Sequence, residues 1–331
     1  MDTQIVYIVV STPQDFFLEE LWASLYSLRQ FHPEARVVVL TDEPTATRIN
    51  ASTYQQLRSM MTELKTVPVT KEYDGKQRSR VLKTNIRNLI DGDFIFIDTD
   101  TIITASLEEI DNLDIKNLAM VPDIHLHSFV KERTDLLSVP IIIENVYGTD
   151  ANDLPIYFNS GVSLVRDNAL TRKFFTKWHE NWLISLSKGI DTDQQALAYT
   201  NHCFGNVIEL MPDAYNCQLM YGAKYLQEAK ILHIYRNPQL CMGDYPTRHL
   251  WNIYPKIRQE GKLTDEMAAV LMAAKSQLSA SSCIVNSEDM GFLRCKFYKL
   301  YKLNKFHLRW LIDKFNRWAT QRENKRKIRI V

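Results

Sequence analysis

Residues Phe94-Ile95-Phe96-Ile97 run without a polar break into Asp98-Thr99-Asp100. Four successive apolar residues of strand character predict a strand buried on both faces, the pattern of a parallel sheet covered by helices. Two carboxylates at i and i+2 then stand at the carboxyl edge of that sheet, where open α/β sheets bind ligands. Two oxygen donors on one short turn suit a hard divalent cation, Mn²⁺ or Mg²⁺, that keeps positions open for phosphate oxygens. The alternative is a helix cap beside a solvated carboxylate. The small and apolar flanks favour the metal.

The chain before this point supplies the rest of such a sheet. Gln4 to Val10 reads as a buried first strand. The segment 15–30 repeats apolar residues at helical spacing through Phe17, Leu21, Leu25 and Leu28, and Arg36 to Leu40 gives a second strand. This β-α-β start predicts right-handed parallel crossovers. A helix is expected over 52–64, a third strand over 64–69 and a helix over 79–90. Further strands are expected at 118–121, 157–165, 206–210 and 230–235, with irregular or helical chain over 131–150. Helices are expected over 170–187, over 191–200 behind acidic caps, and over 264–278. Gly161 in mid-strand marks a bulge or a close backbone approach. The fold class is α/β.

Five cysteines with no close C-x-x-C pair argue against a disulfide framework or a thiolate zinc site, and point to a reducing compartment. No basic, apolar leader opens the sequence, so no signal peptide is expected, and no apolar run reaches the length of a membrane span. The net charge of +1 hides an asymmetry. Residues 291–331 carry 13 Lys and Arg against Asp313 and Glu323, a net of +11, which leaves −10 for residues 1–290. The stretch Ser279 to Ser282 reads as a linker, dividing the chain into a body over 1–282 and a basic aromatic extension over 283–331.

Several pieces, in order, resemble glycosyltransferase family 8. These are retaining nucleotide-sugar transferases of the GT-A type, among them glycogenin and bacterial lipopolysaccharide galactosyl- and glucosyltransferases. The pieces are Ser11-Thr12, the Leu21-x-x-Ser24-Leu25-x-Ser27-Leu28 helix, Val38 to Asp42, Ser79 to Lys83, Asp98-x-Asp100, Phe158 to Val162, Asp193-Gln194 and His233. They span roughly residues 4–236.

The resemblance implies a GT-A fold, a Rossmann-like, mostly parallel mixed sheet flanked by helices. It implies transfer of a hexose from a UDP-sugar to a glycan or lipid-linked acceptor with retention, as in lipopolysaccharide biosynthesis. Asp98, Asp100 and His233 would ligate Mn²⁺ or Mg²⁺. Arg80 and Lys83, at i and i+3 on one helix, would contact the donor diphosphate or fix the metal carboxylates, with Thr99 beside them. Ser11, Thr12 and Asp15 would bind base and ribose, and Asp42 belongs to the same region. Asn159 would hydrogen-bond sugar or acceptor hydroxyls, Asp193 the donor sugar, and Gln194 would sit near the anomeric carbon. Asp191 would cap a helix. The family commonly follows the metal histidine with Gly and then Lys-Pro. Here Arg236 stands in that loop and would take the phosphate-binding part.

In the extension, Phe297, Leu300, Tyr301, Leu308, Leu311, Phe315 and Trp318 form a helical stripe beside lysines and arginines. Such a helix suits an anionic membrane surface, and hence a cytoplasmic protein peripheral at the inner membrane; packing on the acidic body is the alternative. Nucleic acid is not an expected partner. Two rival functions share these residues. One is a phosphohydrolase with Asp98 as nucleophile, disfavoured because three strands precede the motif and Ile102 departs from that pattern. The other is a non-catalytic glycan- or membrane-binding protein on the same fold.

Overall fold

The computed structural model describes residues 1–125, 138–149, 154, 156–219, 225–234 and 248–277. Arg236 and the basic extension lie outside the described residues.

The strands are β1 (Gln4–Val9), β2 (Val37–Thr41), β3 (Glu63–Thr66), β4 (Phe94–Ile97), β5 (Thr101–Ile103), β6 (Leu118–Pro122), β7 (Phe158–Val165), β8 (Ile208–Leu210), β9 (Cys217–Gln218) and β10 (Ile231–His233). The helices α1 (Phe17–Phe31), α2 (Glu43–Ile49), α3 (Gln55–Ser59), α4 (Gly75–Thr84), α5 (Ile86–Leu89) and α6 (Ser138–Tyr147) belong to the first half. Later come α7 (Ala169–Ser187), α8 (Gln194–Cys203), α9 (Arg248–Trp251), α10 (Ile253–Glu260), α11 (Asp265–Met272) and α12 (Ala274–Gln277).

Seven strands form one sheet in the order β3-β2-β1-β4-β7-β6-β8, and β5-β10-β9 form a second, smaller one. The pairs from β3 to β4 are parallel, whereas β7 runs antiparallel to both β4 and β6, so the large sheet is mixed. Alternate residues of β1 explain its unbroken apolar run. Ile5, Tyr7 and Val9 enter the core that holds α1, while Val6, Ile8 and Val10 enter the one that holds Trp178 and Trp182 of α7. This is a Rossmann-like α/β architecture of the GT-A kind.

Several boundaries differ from expectation. The stretch 52–64 is a 3₁₀ turn, the short α3 and the start of β3, because Glu63 and Leu64 pair with Val38 and Val39. Helix α4 begins at Gly75, where Asp74 and Gln77 close a reciprocal capping box, and the helical run breaks at Asn85 before α5. The acidic residues before α8 do not cap it. Asp193 makes no side-chain cap bond, and Asp191 pairs with Lys76 at 2.7 Å.

Candidate metal centre and donor cleft

The chain changes sheets at the acidic turn. Strand β4 ends at Ile97, Asp98 N–H donates to Gly161 O at 2.8 Å, and Thr101 already belongs to β5. Antiparallel pairing of β5 with β10 sets His233 opposite Thr101, and Ile234 N–H donates to Asp100 O at 2.9 Å. This register carries a histidine 133 positions downstream to the acidic pair. Asp98, Asp100 and His233 each bring one ligand atom within 4.8 Å of the other two, and His233 Nε2 lies 3.2 Å from Asp100 Oδ1. Neighbouring ligand atoms around an octahedral ion with bonds of about 2.1 Å are about 3 Å apart, close to the spacing of His233 Nε2 and Asp100 Oδ1. Two carboxylates and one imidazole are also a donor set that suits Mn²⁺.

Cations wall the site from α4. Lys83, buried to 4% side-chain exposure, places Nζ 2.9 and 3.1 Å from the two oxygens of Asp98. Burial pushes the Asp98 carboxyl up, against the pull of Lys83. Burial acts the same way on Asp100, but the neighbouring His233 more than offsets it and holds that carboxyl below its ordinary range. Arg80 Nε stands 2.9 Å from Asp193 Oδ1, an ion pair rather than a directed hydrogen bond, since no acceptor lies in line with its N–H. Burial works against the Arg80 charge, yet Asp193, Asp98 and Asp100 keep the guanidinium fully ionised.

Two cavities meet at these residues. One, of about 290 Å³, is lined by Asp15, Glu20, Gly75, Lys76 and Ser79; the other, of about 300 Å³, by Asp123, Asn159, Gly161, Gln194 and His233. Asp98, Asp100 and Arg80 belong to both, so the acidic pair sits where the lobes join, with His233 on the second.

The glycosyl transferase family 8 model matches residues 92–241, from the turn before β4 to beyond His233. Over that span, a little under half of the chain, the sequence is similar to glycosyl transferase family 8. Together with the candidate metal-binding triad, this similarity supports a glycosyltransferase, an enzyme. No curated protein matches the sequence. Among solved structures, the galactosyltransferase LgtC in complex with donor and acceptor sugar analogs is 16% identical, with a TM-score of 0.51 over 81% of this chain and 99% of that one. The WbbM bifunctional glycosyltransferase in its apo structure is 16% identical at a TM-score of 0.49, covering 84% of this chain. The present chain spans only 52% of that protein's length. Mouse xyloside xylosyltransferase 1 is 13% identical at 0.46, over 73% of this chain and 100% of that one. At 16% identity the likeness to LgtC is one of fold.

The residues expected for a family 8 site are distributed unevenly around the triad. Thr99 and Asp15 line the first lobe. Ser11 and Thr12 stand behind Asp15, whose oxygens accept from Ser11 Oγ at 2.6 Å and from Thr12 N and Oγ1 at 2.7 and 2.8 Å. Asp42 caps α2 through Thr45 N–H and pairs with Arg78 at 2.7 Å, away from both lobes. Gln194 lines the second lobe with its amide 3.3 Å from Phe158 O. Asp193 lines it too, but its oxygens already engage Arg80 and Ser160 Oγ, the latter at 2.9 Å. Trp178 and Trp182 of α7 pin the segment before α8 by donating to the carbonyls of Asp193 and Asp191.

Gly161 does make a close approach, to a side chain of the site rather than to open cleft. A Cβ there would overlap His233 Cε1 and lie 2.9 Å from Asn159 Oδ1.

Glu20 escapes sequence reasoning, because a polar residue on an amphipathic helix reads as solvent-facing. Here α1 turns it into the first lobe, where Thr99 Oγ1 approaches at 3.5 Å. Burial, reinforced by Asp100 and Asp15, raises its carboxyl well above the usual range. The folded protein therefore holds a proton that the unfolded chain releases near pH 4.3, and this contribution to stability is lost as pH rises through the folded value. Glu20→Gln is accordingly expected to raise the Tm of chelator-treated protein at neutral pH, with the gap closing as pH falls toward about 4. Thermal melts of both proteins across that range check it.

Proposed function

We propose that the protein transfers a hexose from a UDP-sugar to a glycan or lipid-linked acceptor, with retention at the anomeric carbon and dependence on Mn²⁺. The observation that carries this reading is the position of Asp98 and Asp100 at the junction of two lobes, beside His233 in the second, with Lys83 and Arg80 in the wall. A divalent cation held there supplies Lewis acidity to a departing diphosphate. The first lobe, bordered by the start of α4 and by Asp15, takes the nucleoside, where the amino end of the helix favours phosphate. Arg80 and Lys83 neutralise charge that builds on the leaving group and orient the carboxylates. The second lobe takes the sugar and the incoming hydroxyl, with Gln194 and Asp193 at its wall. Arg236 joins the phosphate contacts in this reading. The basic segment 283–331 docks on an anionic membrane surface and brings lipid-linked acceptors to the cleft. Among the described residues no helix is long and apolar enough to cross a membrane.

A panel of UDP-, GDP- and ADP-sugars, titrated with Mn²⁺, Mg²⁺ or chelator, tests the donor and metal together. Release of uridine diphosphate only when Mn²⁺ or Mg²⁺ is present supports the reading, and the anomeric configuration of the product, read by NMR, decides retention. Hydrolysis of simple phosphomonoesters with no nucleoside diphosphate formed would instead install Asp98 as a phosphatase nucleophile.

A further inference from the structure

A histidine can serve a cation through Nε2 only if its remaining proton sits on Nδ1, and the partner of Nδ1 decides this. Nδ1 of His233 lies 2.8 Å from the side-chain oxygen assigned to Asn216. An amide's oxygen and nitrogen are alike in shape, so its orientation has to follow from its neighbours. Two neighbours set it. The backbone N–H of Gly161 can only donate, and it meets Asn159 Oδ1 at 3.0 Å. The carboxyl oxygen of Asp123 meets Asn159 Nδ2 at 2.8 Å and accepts from it. Asn159 is thereby fixed with its carbonyl toward Gly161. The same carbonyl faces Asn216 at 3.0 Å, so Asn216 must offer its NH₂ there and turn its own carbonyl to His233. Asn216 is fully buried and Asn159 is 5% exposed, so bulk water does not compete.

The anchor is held at a backbone cost. Directly after Asp123, Ile124 (φ 50°) and His125 (φ 56°) adopt the left-handed region, which is strained for residues with a Cβ. Ile124 N–H donates to Gln218 Oε1 at 2.7 Å, and His125 Nε2 accepts from Gln218 N–H at 3.0 Å, which ties the bend to β9 beside His233.

We propose that Asp123, Asn159 and Asn216 form a polarity relay that holds the proton of His233 on Nδ1 and presents Nε2 to the cation. Asn216 and Asp123 are then positioning residues. The relay rests on the metal site proposed above but is read out separately from it.

Mn²⁺ affinity of the full chain, measured by calorimetry, gives the first test. Asn159→Asp keeps an oxygen toward Gly161 and Asn216 but sets a carboxylate against Asp123, and is expected to weaken Mn²⁺ binding about 10–100-fold. Adding Asp123→Asn reverses donor and acceptor across that contact, and the double variant should return to within about threefold of wild type. Simple loss of packing would not be rescued this way, so a double variant as weak as N159D overturns the relay. The second test needs no metal. In Asp100→Ala, which removes the carboxylate facing Nε2, the ¹⁵N histidine spectrum of the neutral ring should show the proton on Nδ1; a proton on Nε2 overturns the relay. Wild-type protein that binds no Mn²⁺ removes the metal site, and the tautomer result then decides the relay alone.

Discussion

Asp100→Ala will lose Mn²⁺ binding, and with it about 10³-fold or more in the rate of nucleoside diphosphate release, roughly 4 kcal/mol of transition-state stabilisation. The size follows from position. His233 Nε2 lies 3.2 Å from Asp100 Oδ1, and a cation held between them would be shared with Asp98. Without it, two ligand atoms remain and Lys83 still neutralises Asp98 through both oxygens. The variant should therefore stay folded, and a melt near the wild-type Tm in chelator accompanies the expected result. Calorimetric Mn²⁺ titration with a diphosphate-release assay checks both halves. Near-normal turnover in the variant would show that the acidic pair does not serve catalysis.

Gly161→Ala should do comparable damage without removing any charged group. Its added Cβ would overlap the His233 ring and press on Asn159 Oδ1, and both side chains are held, Asn159 Oδ1 by Gly161 N–H and His233 Nδ1 by Asn216. Overpacking of this kind costs about 1–3 kcal/mol of stability. Displacing a ligating imidazole and its supporting amide is expected to weaken metal affinity about 10–100-fold. A lowered Tm together with a weaker Mn²⁺ titration checks it; a normal titration would mean that His233 is not a ligand.

The parts of this molecule that a reader of the sequence can see are those whose cause is local. Strands β1, β2 and β4 are buried on both faces, so each shows as a continuous apolar run, and α1 shows its apolar stripe. Asp98 and Asp100 stand out because two carboxylates directly follow such a run. Strand β5 does not stand out, since three residues carry no periodicity and their conformation is set by pairing with β10, far along the chain. The start of α4 was present as Asp74 and Gln77, a capping box hidden inside a polar stretch. His233 came only with the family resemblance, because one histidine after an apolar strand has no pattern of its own. Asn216 had no signal at all: its importance is a matter of which atom faces which. Glu20 was masked by helical amphipathicity, which records the face of a residue but not what hangs above it.

The crossing of the chain between sheets at Asp98 to Thr101 has a mechanical meaning. Asp98 hangs from the seven-stranded sheet, whereas His233 belongs to the three-stranded one. An ion gripped by both would rivet the two layers, so filling the site and resisting heat become one property. At a concentration a hundred times its dissociation constant, such a rivet adds about 2.7 kcal/mol to the folded state, and the small sheet would be the first part to loosen when it is withdrawn.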